Sequence, residues 1–147
     1  MGGWAVFNGF FAENAGLVEE SCAPYKAESS INQCNLFSQC KEVARVSKTY
    51  HIAEPTEEGI QKEILMNGMV ILDIVTPAGY QSFTTGILKE ELESERKSLA
   101  PTHAINCVGW GEEKGEKYWI IRNAYGEYFG DKGDVKILRG VNLYQIE

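Results

Sequence analysis

The chain predicts an α+β fold with a mainly antiparallel sheet, and three observations carry that expectation. Aromatic residues recur at helical spacing near the start. A capped helix with one apolar side follows at mid-chain. The last third holds apolar runs separated by Gly-rich turns. At 147 residues the chain is long enough for one domain with a sizeable core.

Trp4, Phe7 and Phe11, with Val6 and Phe10, predict a helix over residues 4–15, and Gly16 stands where its C-cap belongs. Core packing is the expected role of this aromatic face. The face is heavy for a first helix, which leads to the expectation of further chain upstream. Residues 19–47 lose the pattern: Pro24, Ser29-Ser30 and three cysteines mark an irregular surface segment. Residues 49–53 are expected as a short strand, with Tyr50 and Ile52 on one face. Thr56-Glu57-Glu58 then reads as an N-cap with acids in the first turn. Ile60, Ile64 and Leu65 give that helix an apolar side, and Asn67-Gly68 ends it.

Residues 70–75 predict a buried strand and residues 83–88 a further one. The charged run over residues 89–98 is expected as a solvated face. Thr102 to Gly111 and Tyr118 to Gly126 predict an antiparallel hairpin, and residues 133–138 another strand.

Composition excludes several classes. The formal charge of −7 and pI near 4.9 argue against phosphate-backbone binding, so no nucleic acid partner is expected. No apolar run reaches the length of a membrane span, and the N-terminus lacks the basic and apolar regions of a signal peptide. Met-Gly-Gly begins like a myristoylation site, but Trp4 follows at once and position 6 is Val. The four cysteines, Cys22, Cys34, Cys40 and Cys107, contain no Cys-x-x-Cys pair, so no metal site is expected. The first three favour a disulfide-braced loop in an oxidising compartment. Free thiols in a reducing compartment are the alternative.

The chemistry concentrates in the hairpin. A turn centred near Glu113 sets His103 opposite Asn123. An amide oxygen that accepts the proton of one ring nitrogen fixes the imidazole tautomer and aims the other nitrogen at a nucleophile. Tyr125 is placed to shield that hydrogen bond from water, and Gly126 and Gly130 permit a tight corner. His51 has no visible partner and reads as structural. Cys107 shares a strand with His103 four residues on, about 13 Å away, too far to serve as its nucleophile.

These residues carry a resemblance. His103-Ala104 leading into Val108-Gly109-Trp110-Gly111, then Tyr118-Trp119-Ile120, Arg122-Asn123-Ala124-Tyr125-Gly126 and Phe129-Gly130, resembles the histidine and asparagine blocks of papain-like cysteine peptidases. Gly16 to Tyr25 is similar to the segment leading into that family's Pro-Tyr motif, and Cys34 and Cys40 lean toward its cathepsin C and cathepsin X branch. The resemblance covers essentially all of the chain. It implies an α+β papain-like fold, made mainly of the antiparallel barrel domain with part of the helical domain. Residues 1–147 would then be the C-terminal part of such a peptidase, shortened at both ends.

The resemblance also implies roles. His103 is the general acid/base and Asn123 its orienter. Gly2 and Gly3 close the Cys-x-Gly-Gly motif that binds substrate backbone, and Val70 and Ala104 line a substrate pocket. The partner implied is a peptide or protein substrate, with the missing N-terminal half supplying the cysteine. No cofactor is implied. The compartment implied is lysosomal, vacuolar or extracellular.

Departures accompany the match. The block of Gln and Cys-Gly-Ser-Cys-Trp that holds the nucleophile and oxyanion donor is absent. Ala124 stands where the family usually has Ser, Tyr125 where it has Trp, and Met69 where it has Pro. In the family Cys22 would pair with a cysteine in the absent half, which would leave it single here. The expected function is therefore proteolysis by a Cys-His-Asn mechanism, in which this chain supplies His and Asn but not Cys and is inactive alone. The alternative is a non-catalytic binding or structural module on the same fold.

Overall fold

In the computed structural model the described residues are 4–26, 37–53, 55–76, 79–90 and 101–147. Gly2, Gly3, Cys34 and most of the 89–98 charge run lie outside them. The chain divides into two compact units, Met1–His51 and Ile52–Glu147.

In the first unit, α1 spans Ala5–Asn14 and ends at Gly16, whose φ of 79° only glycine adopts freely. The aromatic face does not form a core: Trp4, Phe7, Phe10 and Phe11 are each about half exposed or more, and Ala12 is the buried residue of the helix. Phe11 meets Phe37 at 5.0 Å. Two short strands that the sequence pattern did not show, β1 (Leu17–Val18) and β2 (Glu42–Ala44), pair antiparallel. The Cys22–Cys40 disulfide ties the segment between them, which corrects the expectation of a single Cys22. Closing a loop of this length stabilises by about 3 kcal/mol in the chain-entropy account. Arg45 adds hydrogen bonds to the carbonyls of Glu13 and Asn14 at the end of α1.

Residues 49–53 are not a strand. The Thr49 amide donates to the Glu13 carboxylate at 2.8 Å, so a backbone group that a ladder would use is taken by α1.

Among the described residues the second unit is a five-stranded sheet with one α-helix on it. Helix α2 (Glu57–Asn67) starts where the Thr56 hydroxyl accepts from the Gly59 amide, and stops at Gly68 with φ 94°. Ile60 and Ile64, four residues apart, are buried against the sheet. Leu65 is turned one residue further round and is exposed, so it does not belong to the apolar side. The strands are β3 (Val70–Ile74), β4 (Ile87–Leu88), β5 (His103–Glu113), β6 (Glu116–Arg122) and β7 (Asp134–Leu138). Their order is β3-β5-β6-β7-β4, antiparallel except for the parallel β4–β7 pair.

Strand β3 lies at one end of this order and is only half-buried. Leu72 and Ile74 face the core while Ile71 and Asp73 face out, which is the alternation of a sheet covered on one side. The strand expected over residues 83–88 shrinks to β4, because Gly86 at φ 95° breaks the extended run.

The hairpin turns at Lys114–Gly115, past the expected centre. Between Cys107 and Gly109 the register slips, so Val108 is an extra residue on β5. This bulge has a packing cause. Cys107 and Trp110 both pack with the core, yet their odd spacing would put them on opposite faces of a regular strand.

The core joins Ile60 and Ile64 to Ile74, Ile105, Trp119, Ile121, Val135 and Ile137. The tail returns over it, burying Leu143, Tyr144 and Ile146. Tyr144 is held at φ 55° in a left-handed stretch and donates its hydroxyl to the Glu90 carbonyl. Glu147 secures the tail. Its carboxylate accepts from the Trp119 indole at 2.8 Å and from the Gly140 and Asn142 amides at 2.7 and 2.9 Å. Truncating this side chain leaves the buried indole N–H without a partner. We expect Glu147→Ala to lower unfolding free energy by about 2 kcal/mol in a urea titration, while Glu147→Gln, which keeps an acceptor, loses less.

Candidate active site

His103 is the first residue of β5, and Thr102 fixes the strand's entry. The Thr102 amide donates to the Ile74 carbonyl at 2.9 Å, and its hydroxyl accepts from the Thr76 amide at 2.8 Å. His103 stands opposite Ile74, on the core face of β5 with Ile105 and Cys107, at the edge where burial is partial.

Asn123 follows the last residue of β6. Its amide donates to the Gly133 carbonyl at 3.0 Å, which closes the loop between β6 and β7 at its base. The neighbouring cross-strand pair Arg122–Asp134 adds a two-pronged ion pair at 2.9 and 3.0 Å. This pair is exposed, so its service is geometric more than energetic. Gly130 makes the loop possible, since a Cβ there would lie 2.1 Å from the Asp134 carbonyl oxygen.

The two side chains meet. His103 Nε2 lies 2.9 Å from Asn123 Oδ1. The contact is not the in-register pair the sequence suggested, because the ladder ends at Asn106–Arg122 and Asn123 reaches His103 from the loop beyond it. The amide orientation follows from a second bond: the Ala124 amide donates to the same Oδ1 at 2.8 Å. Reversed, the amide would point NH₂ at an N–H donor. Oδ1 is therefore the acceptor for both, Nε2 carries a proton, and Nδ1 of the neutral ring is left as the base. The Ala124 contact uses backbone alone, so alanine in place of the family's serine leaves it intact.

Tyr125 stacks on His103 with centroids 5.2 Å apart and an interplanar angle of 22°. It covers one face of the imidazole while remaining 42% exposed itself. Phe129, part of the asparagine block, meets Tyr125 at 5.3 Å. Sequence reasoning missed one aromatic: Tyr80 meets His103 edge-on at 6.2 Å. It sits in no periodic run, so only the Gly79 turn before it marked the region. An open depression of about 460 Å³ adjoins Tyr80 and Tyr125, with Thr76, Gly79, Gln81 and Ser82 as its other walls.

The remaining expected residues are placed less simply. Val70 pairs with Cys107 and packs at the margin of the core, whereas Ala104 pairs with Asp73 and is exposed. The alternation of β3 and β5 puts these two on opposite faces, so the structure does not bring them into one wall. Cys22 and Cys40 are spent in the disulfide. Cys107 is fully buried with its Sγ donating to the Gly109 carbonyl at 3.7 Å, and burial pushes its thiol up to about 12. Among the described residues, no reactive thiol stands at His103.

The chain matches the profile of the papain family of cysteine proteases over residues 1–147. It belongs to that family. Human tubulointerstitial nephritis antigen is 34% identical over 94% of this chain and 35% of its own length. Cathepsin B-like cysteine proteinase 3 of Ostertagia ostertagi is 30% identical over 73% of this chain and 59% of its own length. The chain thus spans less than two thirds of the length of either relative. Among solved structures, procathepsin B S9 from Trypanosoma congolense superposes with a TM-score of 0.77 at 26% identity, covering 99% of this chain and 51% of that one. Digestive procathepsin L 3 of the Tenebrio molitor larval midgut gives 0.82 at 24% identity, over 99% of this chain and 46% of that one. The α+β papain-like fold is therefore established for this family member.

A papain-family thiol in the wrong setting has a measurable signature. Cys107 should resist iodoacetamide in the native protein near neutral pH and react once the chain is unfolded, as read by peptide mass mapping. Its folded pKa lies above the unfolded one, so this contribution to stability is full below about pH 9 and is lost as pH rises toward about 12.

Proposed function

We propose that this chain supplies the histidine and asparagine of a papain-type Cys-His-Asn peptidase centre, with the thiolate coming from residues outside it. One observation carries the reading: the 2.9 Å His103–Asn123 hydrogen bond, oriented by the Ala124 amide, which leaves Nδ1 as a free base beneath the Tyr125 ring. Such a base takes the proton of a thiol and returns it to the leaving amine, while the thiolate forms and then releases an acyl-enzyme. The substrate would be a peptide lying past the exposed Ala104 and the depression beside Tyr125. The Cys22–Cys40 disulfide fits an oxidising compartment, vesicular or extracellular.

Among the described residues no nucleophile stands at this site, so the expectation is that the chain is inactive alone. Purified chain should hydrolyse fluorogenic peptide substrates no faster than buffer, and His103→Ala should change nothing. Hydrolysis that His103→Ala abolishes would overturn the proposal. The native transcript upstream of Met1 tests its other half: an in-frame segment with a cysteine opening a helix supports it, and an immediate stop codon points to a non-catalytic module. In protein that carries such a cysteine, His103→Ala should lower kcat by roughly 10²–10⁴-fold.

A further inference from the structure

His103 touches two aromatic rings, and they differ in kind. Tyr125 is partly in solvent and rides on a loop. Tyr80 is 1% exposed and belongs to the short 3-10 turn Tyr80–Ser82, which is closed by Ser82 and Phe83 amides donating to the Gly79 and Tyr80 carbonyls. Its ring stands edge-on to His103 at 6.2 Å and 66°, edge-on to Tyr125 at 6.3 Å and 71°, and tilted on Phe129 at 5.2 Å. It therefore contacts both members of the stacked pair from the core side.

The Tyr80 hydroxyl is buried and makes no hydrogen bond. A buried hydroxyl without a partner is a cost, so whatever this residue contributes comes from its ring. The Asn123 bond alone fixes one atom of the imidazole. A single hydrogen bond leaves the ring free to swing about it, and an exposed stacking partner opposes that weakly. A rigid ring packed in the core does oppose it.

We propose that Tyr80 is a positioning residue for His103. Its ring, and not its hydroxyl, holds the imidazole in the rotamer that keeps Nε2 on Asn123 and Nδ1 free. The functional meaning rests on the acid/base role proposed above for His103, but the test does not. Nitrogen-15 NMR of the two histidine rings in the full chain reads the tautomer and the exchange of the Nε2 proton directly, with the exposed His51 as internal control.

In the unaltered chain His103 should show the Nε2–H tautomer, a slowly exchanging ring proton and a nuclear Overhauser contact to Tyr80. Tyr80→Phe, which deletes only the idle hydroxyl, should keep the tautomer, the slow exchange and the ring contact. Tyr80→Leu should mix the tautomers and speed Nε2–H exchange about tenfold, the loss of one aromatic contact, with His51 and the Trp119 indole signal unchanged. A folded Tyr80→Leu chain with an unaltered His103 overturns the proposal. So does loss of the signature in Tyr80→Phe, or the absence of the Tyr80–His103 contact in the unaltered chain. If Tyr80→Leu does not fold, the last two readings decide. No thiol enters any readout, so failure here leaves the peptidase reading standing, and failure of that reading leaves this one measurable.

Discussion

The antiparallel ladder between β5 and β6 carries both halves of the site, since His103 opens one strand and Asn123 follows the end of the other. Everything that keeps this ladder in register keeps the two side chains together. The bulge at Val108 is the most delicate part of it. Without that extra residue, burying Trp110 on the core face would turn Cys107, Ile105 and His103 to the opposite one. Helix α2 and the tail press on the same face from Ile60 and Ile64 and from Leu143 to Ile146, so the core itself selects the register.

The site is a compromise between burial and polarity. Asn123 Oδ1 accepts two hydrogen bonds, while its Nδ2 and the Tyr80 hydroxyl are buried without partners. Such groups weaken a fold and are tolerated where geometry is worth more than stability. The aromatic group of Tyr80, Tyr125 and Phe129 supplies the dry surroundings in which one hydrogen bond can orient an imidazole. Cys107 marks the opposite extreme: burial that holds a thiol neutral makes it a core residue and nothing more.

The first unit obeys different economics. Its helix leaves four aromatic side chains about half exposed or more, and its described cohesion comes from the disulfide, from Arg45 on the helix C-terminal carbonyls and from the Glu13 contact to Thr49. Helical spacing says which residues share a face. It does not say what covers that face, and here Trp4, Phe7 and Phe11 stay half exposed or more.

What the sequence determined by itself was local or ordered along the chain. The Thr56 cap, the Gly16 and Gly68 stops and the apolar alternation of the hairpin were legible, because caps, turns and strand alternation are written in neighbouring residues. The nearness of His103 and Asn123 was legible too, but not the register by which they meet. The family was legible for a related reason, as several motifs in fixed order are specific even when each is short. Tertiary structure alone decided the rest. The turn moved to Lys114–Gly115 and the bulge appeared because Trp110 and Cys107 must share a core. Residues 49–53 lost their strand because Glu13 took the Thr49 amide. Cys22 found Cys40, and Tyr80 reached His103 from a segment that joins no strand. Contacts between residues distant in sequence depend on packing that no local pattern encodes, and for that reason Asn123 could be named beside His103 in advance while Tyr80 could not.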